Sequence, residues 1–236
     1  MSGFRLDLPP ATSVEDLRYP PKALRRSWTR DELVAVFPEQ PLSILDVGAG
    51  DNPFRARPED TVVTVDFDPV AEPDHSVDVT RSWPFEPESF DFVYMSHVVE
   101  HLYPQDRDAL IRNVYESLRP EGFVFIRVPH KSSIQGVGWE HHSLYGLNSA
   151  ASLSHGRNPL LPMFRSVSVG VATTTEFGEA RGRARAAVER ALNASWRLTD
   201  GVLCYAVGGI AEVQFLLQRL EPSLESRLRA TPASAR

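Results

Sequence analysis

Residues 90–95 read FDFVYM. Large apolar side chains fall on both alternating sets of positions, so an extended segment here needs cover on both of its faces. A sheet with one wet face reads apolar on one set only, and this run therefore demands a layer above and a layer below. Runs rich in Val, Ile and Phe recur at 43–47, 61–66, 122–128, 164–172 and 211–218. Helical patterns lie between several of them. The clearest is QDRDALIRNVYESL, 105–118, with Leu110, Val114, Tyr115 and Leu118 on one face; it runs into Arg119-Pro120-Glu121-Gly122, a stop signal. Further helices are expected over Trp28 to Phe37, capped by Thr29 or Asp31, near 147–154 and over 176–197. Strands alternating with helices predict an α/β fold around a doubly wound, mostly parallel sheet.

The 236 residues suit one domain with a sizeable core. Residues 1–40 are Pro-rich at first and then helical, and read as an arm laid over a domain spanning 41–220; residues 221–236 read as a frayed tail. The balance of 25 basic against 31 acidic residues, net −6, argues against a nucleic-acid partner, because the basic clusters Lys22 to Arg30 and Arg181 to Arg190 are short and interleaved with apolar residues. The single cysteine, Cys204, excludes an internal disulfide framework and fits a reducing compartment. The opening MSGFRLDLPP carries no apolar signal core, and no later stretch is long enough to span a bilayer, so a cytoplasmic protein without a membrane partner is expected.

Residues 44–53 read ILDVGAGDNP, a strand running into a glycine turn. In an open α/β sheet, ligands bind beyond the carboxyl ends of the strands. Gly48 and Gly50 let the backbone turn tightly and approach a ligand closely. A dinucleotide fingerprint asks for a third glycine at position 53, where Pro53 stands, and the segment Asp51 to Thr61 with Pro53 and Pro58 has room for barely a turn or two of helix. A pyrophosphate cradle is poorly supported. A smaller zwitterion fits better, its ammonium drawn to Asp46 and its carboxylate to the N–H groups of the turn. The second strand, TVVTVDF, ends in Asp66, a carboxylate placed to accept from both hydroxyls of a ribose. Phe67 is placed to stack on a base, and Asp78 in Ser76-Val-Asp78-Val-Thr80 to accept an amino hydrogen of adenine.

Taken in order, ILDVGAG, VVTVDFDP, HSVDVT, WPFEPESFDFVYMSHVVEHL and LRPEGFVFIRVP resemble the motifs of class I S-adenosylmethionine-dependent methyltransferases, over about residues 42–130. The resemblance is to a small-molecule branch with a shortened first helix. It implies a Rossmann-like, seven-stranded sheet whose last strand is antiparallel, and S-adenosyl-L-methionine as cofactor. Carried over by position, Asp46, Gly48 and Gly50 hold the methionine end and Asp66 the ribose. Phe67, Asp78 and Val79 frame the adenine, and Ser96 and His97 approach the methionine portion. The usual third small residue of the turn is Asn52 here.

The activated methyl of such a cofactor needs an acceptor held in line, and a base where the acceptor is a hydroxyl or a protonated amine. Candidates cluster after the fourth and fifth strands: His97 and His101 flank Glu100, His130 follows Pro129, and Gly138-Trp139-Glu140-His141-His142-Ser143-Leu144-Tyr145 comes next. Related methyltransferases carry a Glu-His-x-x-x-Tyr stretch beside the transfer cleft. His141 or His142 is expected as base, oriented by Glu140, with Trp139, Tyr145, His101 and His130 towards the substrate. The adjacent pair His141-His142 points apart if extended and no cysteine assists, so no metal is expected. Residues 1–40 as a lid and about 131–165 as a cap insertion are expected to close over a small-molecule acceptor, through O or N. A nicotinamide oxidoreductase, or a cofactor-binding partner protein without activity, is the alternative. Oligomeric state is left open.

Overall fold

A computed structural model describes residues 4–11, 13–154, 164–173, 183–206, 210–220 and 223. Seven strands form one sheet: β1 (Ser43–Val47), β2 (Thr61–Asp66), β3 (His75–Ser76), β4 (Phe90–Ser96), β5 (Leu118–Pro129), β6 (Phe164–Ala172) and β7 (Glu212–Arg219). Their order is β3-β2-β1-β4-β5-β7-β6. β1 to β5 pair in parallel, and β7 runs antiparallel to both β5 and β6. This is the Rossmann-like α/β sheet with an antiparallel last strand. The order reverses between β1 and β4, which opens the crevice at their carboxyl ends.

The two-sided burial read from FDFVYM is realised in β4. Val93 and Met95 join one apolar cluster with Leu110 and Val114 of α3 (Pro104–Ser117) and Leu192 of α5 (Arg183–Ala194). Phe92 and Tyr94 join the other, with Ile44, Phe123 and Phe125. That second face is covered by the amino-terminal arm. α2 (Arg30–Ala35) lies on it, and Trp28, Leu33 and Phe37 are buried in the cluster, whereas α1 (Val14–Arg18) packs beside the edge strand β6. α2 starts where a capping box forms: Thr29 accepts from the Glu32 N–H and Glu32 from the Thr29 N–H. Truncating a ring such as Phe37, 1% exposed, costs about 3–5 kcal/mol. The arm is thus a layer of the core, and none of its described residues lines the cleft described below.

No helix forms between β1 and β2. Buried Phe54 plugs the gap against Phe37, Phe92 and Tyr94, and its N–H donates to Asp46 Oδ2 at 2.7 Å. From α2, Arg30 clamps the same loop through the carbonyls of Asn52 (2.8 Å) and Pro53 (2.9 Å). Arg57 and Asp60 close it with an ion pair at 2.6 Å. α3 ends at Ser117, and Leu118 passes straight into β5 by pairing with Phe90, four residues before the strand start expected at 122. Pro120 and the left-handed Glu121 (φ 63°) are absorbed in a bulge there. Near the expected cap, α4 (Ser149–Ser154) forms, while residues 155–163, 174–182 and the tail apart from 223 lie outside the described residues. No helix among the described residues is long and apolar enough to cross a membrane.

Candidate active site

At the crevice beside β1, β2 and β4 lies a cleft of about 650 Å³. Val47, Gly48, Asp66, Phe67, Asp78, Val79, His97, His101, Tyr103 and Glu140 are among its walls. Gly48 (φ 69°) and Gly50 (φ 53°) hold the left-handed conformation that lets the chain turn after β1. A Cβ on Gly48 would stand 2.4 Å from Val98 Cγ2, so this glycine is also required by packing. A Cβ on Gly50 would meet nothing within 4 Å. Asp66 closes the turn from the next strand: Oδ2 accepts from the Gly50 N–H and Oδ1 from the Asp68 N–H, both at 2.9 Å. Each oxygen keeps a further lone pair for a ligand hydroxyl. The ring of Phe67 is 79% exposed on the cleft wall. Asp78 folds onto Thr80, accepting from its hydroxyl at 2.6 Å and its N–H at 3.0 Å, and these bonds hold its carboxyl below the ordinary range.

After β4 the chain turns at His97, a non-glycine residue with φ 59°. The left-handed turn places its imidazole between two buried carboxylates, Glu100 (Nδ1 to Oε1, 3.0 Å) and Glu212 (Nε2 to Oε1, 3.2 Å). Burial opposes the imidazolium, but the two bonds outweigh it and raise the His97 pKa to about 9. Buried Arg127 of β5 approaches the other oxygen of Glu212, 3.4 Å away. His97 is therefore a cation at neutral pH that ties the cleft floor to β5 and β7, a role unsuited to a base.

The remaining sequence candidates divide. His101 and Glu140 line the cleft. The His141 ring meets His101 edge to face at 4.6 Å, and His142 stacks on Tyr103 at 4.0 Å. The His142 N–H donates to the Glu100 carbonyl at 2.7 Å, which fixes this loop against the turn after β4. Others are displaced from their expected places. Asp46 is buried and spent on Phe54, away from the cleft walls. Ser96 lies in β4 paired with Arg127 and does not line the cleft. Trp139, expected in the substrate pocket, is 99% exposed and lines no described cavity. His130 is fully buried, bonded to Asp200 (3.0 Å) and Ser132 (2.8 Å), which makes it a strut under the loop. Although burial opposes it, the bond from His130 holds the Asp200 carboxyl below its ordinary pKa. Tyr145 lines a separate apolar cavity of about 210 Å³ with Arg107 and Leu153, donates to the Val99 carbonyl at 3.2 Å, and has its phenol pKa raised by burial.

Sequence reasoning missed Glu212, Arg127, Tyr103 and Asp106. Glu212 is 115 residues from His97, and only the strand order brings them together. Tyr103 and Asp106, at the start of α3, carry no periodic or motif signal; they enter the cleft because α3 begins at its rim.

A family model described as a methyltransferase domain matches residues 19–169. The chain belongs to this family, and with it to the class I S-adenosylmethionine-dependent methyltransferases. No curated protein sequence matches it. Among solved structures, it is similar to an S-adenosylmethionine-dependent methyltransferase from Archaeoglobus fulgidus (18% identity, 84% of this chain and 96% of that one, TM-score 0.53). It is also similar to the N-methyltransferase NodS from Bradyrhizobium japonicum, in complex with S-adenosylhomocysteine (12% identity, 77% and 80%, TM-score 0.49). A third is phosphoethanolamine N-methyltransferase 2 from Haemonchus contortus, in complex with S-adenosylmethionine (18% identity, 78% and 50%, TM-score 0.49).

Proposed function

We propose that this methyltransferase transfers the methyl group of S-adenosylmethionine to a small-molecule acceptor, through oxygen or nitrogen, in the cleft at the ends of β1, β2 and β4. The observation that carries the reading is the convergence of a strand-end carboxylate with spare lone pairs, a bare aromatic ring and a side-chain-free turn on one cleft of about 650 Å³, within the usual size of a small-molecule site. Bound there, the cofactor supplies a methyl group on a cationic sulfur. Asp66 accepts from ribose hydroxyls, Phe67 covers the base, Asp78 and Val79 border it, and the open space beside Gly50 admits the amino-acid end. Asp46 acts one step removed, by holding Phe54 and so the shape of the loop.

His97 stays protonated and orients the turn. The acceptor then meets His101 and Glu140, which line the cleft, with His141 packed behind them on the His101 ring. Catalysis here is chiefly positioning, because the methyl is already activated. Titration calorimetry of the purified protein with S-adenosylmethionine and S-adenosylhomocysteine tests the reading. One-to-one binding of both, with no binding of nicotinamide dinucleotides, is expected. Absence of heat with either sulfur compound, or preference for a dinucleotide, overturns it.

A further inference from the structure

Glu100, His101 and His141 each offer one ligand atom, and the three atoms lie within 4.8 Å of one another. Two imidazoles and a carboxylate form a donor set that suits zinc and neighbouring first-row divalent ions. Around a bound zinc with bonds of 2.0–2.1 Å, tetrahedral ligand atoms stand about 3.4 Å apart, so a modest swing of the exposed His101 ring closes the set. A second, independent observation marks the same place. Glu100 Oε2 and His141 Nδ1 are buried without a hydrogen-bond partner among the described residues. Such atoms cost about 1–3 kcal/mol each when nothing occupies them. Glu100 is fully buried.

The surroundings hold the three ligands in register. Glu100 Oε1 is bonded to His97, which orients the carboxylate and leaves its other oxygen for a ligand. The His101 N–H is bonded to the Val98 carbonyl (3.1 Å), the His141 N–H to Gly138 (3.0 Å) and the His142 N–H to Glu100 (2.7 Å), so both loop segments are locked to each other before any ion arrives. His101 also lines the cleft, which places the cluster at its wall.

We propose that Glu100, His101 and His141 bind one divalent transition-metal ion, zinc or a close congener, at the wall of the cleft. Three protein ligands leave at least one coordination position for water or for an oxygen of the substrate. The ion therefore favours an acceptor that presents a hydroxyl; this last clause rests on the methyl-transfer reading, whereas the ion site does not. Its effect on a bound hydroxyl is to lower its pKa, as it does for water.

The test uses chelator-stripped full-length protein. Zinc is titrated by calorimetry, and cobalt(II) is added as a spectroscopic probe. Expected are one ion per chain and visible cobalt bands of a site with nitrogen and oxygen ligands. His101→Ala and His141→Ala are each expected to weaken zinc binding by about 100-fold or more, at or beyond the upper end of what losing a ligand's supporting partner costs. His142→Ala, outside the cluster, is expected to retain it. Circular dichroism and urea unfolding on the same samples show that the variants are folded. No stoichiometric zinc uptake by wild type at micromolar concentration, or equal uptake by both ligand variants, overturns the proposal. Cofactor titration without metal separates this outcome from failure of the methyltransferase reading, because loss of cofactor binding leaves the cobalt spectrum intact.

Discussion

Asp66→Asn is the most discriminating change in the cofactor wall, because it keeps shape and alters only charge and hydrogen-bond sense. In the native turn both carboxylate oxygens are engaged, one by the Gly50 N–H and one by the Asp68 N–H, each at 2.9 Å. The residue is 8% exposed. An amide offers one acceptor oxygen in place of two, so one backbone N–H is left facing an NH₂ group. Leaving a buried donor unmade costs about 1–3 kcal/mol of stability. The ribose hydroxyls lose their ionised acceptor at the same time. A hydrogen bond to a charged group is worth about 1.5–3 kcal/mol, and at 1.4 kcal/mol per decade this is roughly a 10- to 150-fold rise in Kd. Calorimetric titration of S-adenosylmethionine into wild type and variant reads the binding part, and urea unfolding without ligand reads the stability part. The two effects are separable because the first survives correction for the fraction folded. A variant with wild-type Kd refutes the placement of the ribose at Asp66, whatever its stability.

Gly48→Ala is expected to lower stability more than Gly50→Ala: both pay about 1–2 kcal/mol for left-handed backbone, but only the Cβ at 48 runs into Val98, at 2.4 Å. Equal shifts of the two in scanning calorimetry would contradict the packing role given to Gly48. The His97 pKa, raised to about 9 from 6.5, contributes stability that is fully present below pH 6.5 and lost as pH rises through about 9. Urea unfolding of chelator-treated protein between pH 6 and 10 is expected to show that decline, and His97→Gln to remove it; an identical slope in the variant refutes the assignment. His130→Gln is expected to cost about 1–3 kcal/mol by weakening its contact with Asp200, while cofactor affinity stays as in wild type. A large change in affinity at undiminished stability would return His130 to the ligand site.

The strands were legible because burial on both faces leaves a dense apolar signature: Phe164–Ala172 lies where the run 164–172 stands in the sequence, and β1 and β2 agree with theirs. Thr29 was legible as a cap because its partner Glu32 is only three residues away. What stayed hidden depends on distance along the chain. The Trp28, Leu33 and Phe37 side chains read as a helix face, but nothing local tells whether that face covers a substrate or a sheet; the competing apolar face of Phe92, Phe123 and Phe125 decides it. Asp46 carries the motif that suggests an ammonium partner. Its carboxylate instead caps the loop that replaces a helix, because the N–H of Phe54 has no helical carbonyl to meet. Trp139 was grouped with its neighbours in sequence, whereas the turn at Gly138 sends it to solvent.

The antiparallel course of β7 is what completes the cleft floor. In register, Glu212 at the start of β7 faces Pro129 at the end of β5 and Ala172 at the end of β6. A strand entering at that end delivers its first residues to the carboxyl side of the sheet, where the ligand crevice lies. Were β7 parallel to β5, its first residue would lie some 25 Å away, since a strand rises about 3.3 Å per residue over eight residues. Strand direction thus supplies Glu212 to His97 and Arg127. Two cations and two carboxylates are gathered in a buried space, and neither carboxylate is left without a countercharge, the condition under which burial of charge is tolerable. The strained backbone at His97 follows from the same arrangement. The left-handed turn after β4 aims its ring between Glu100 and Glu212, and the ion-pair network offsets the cost of that conformation.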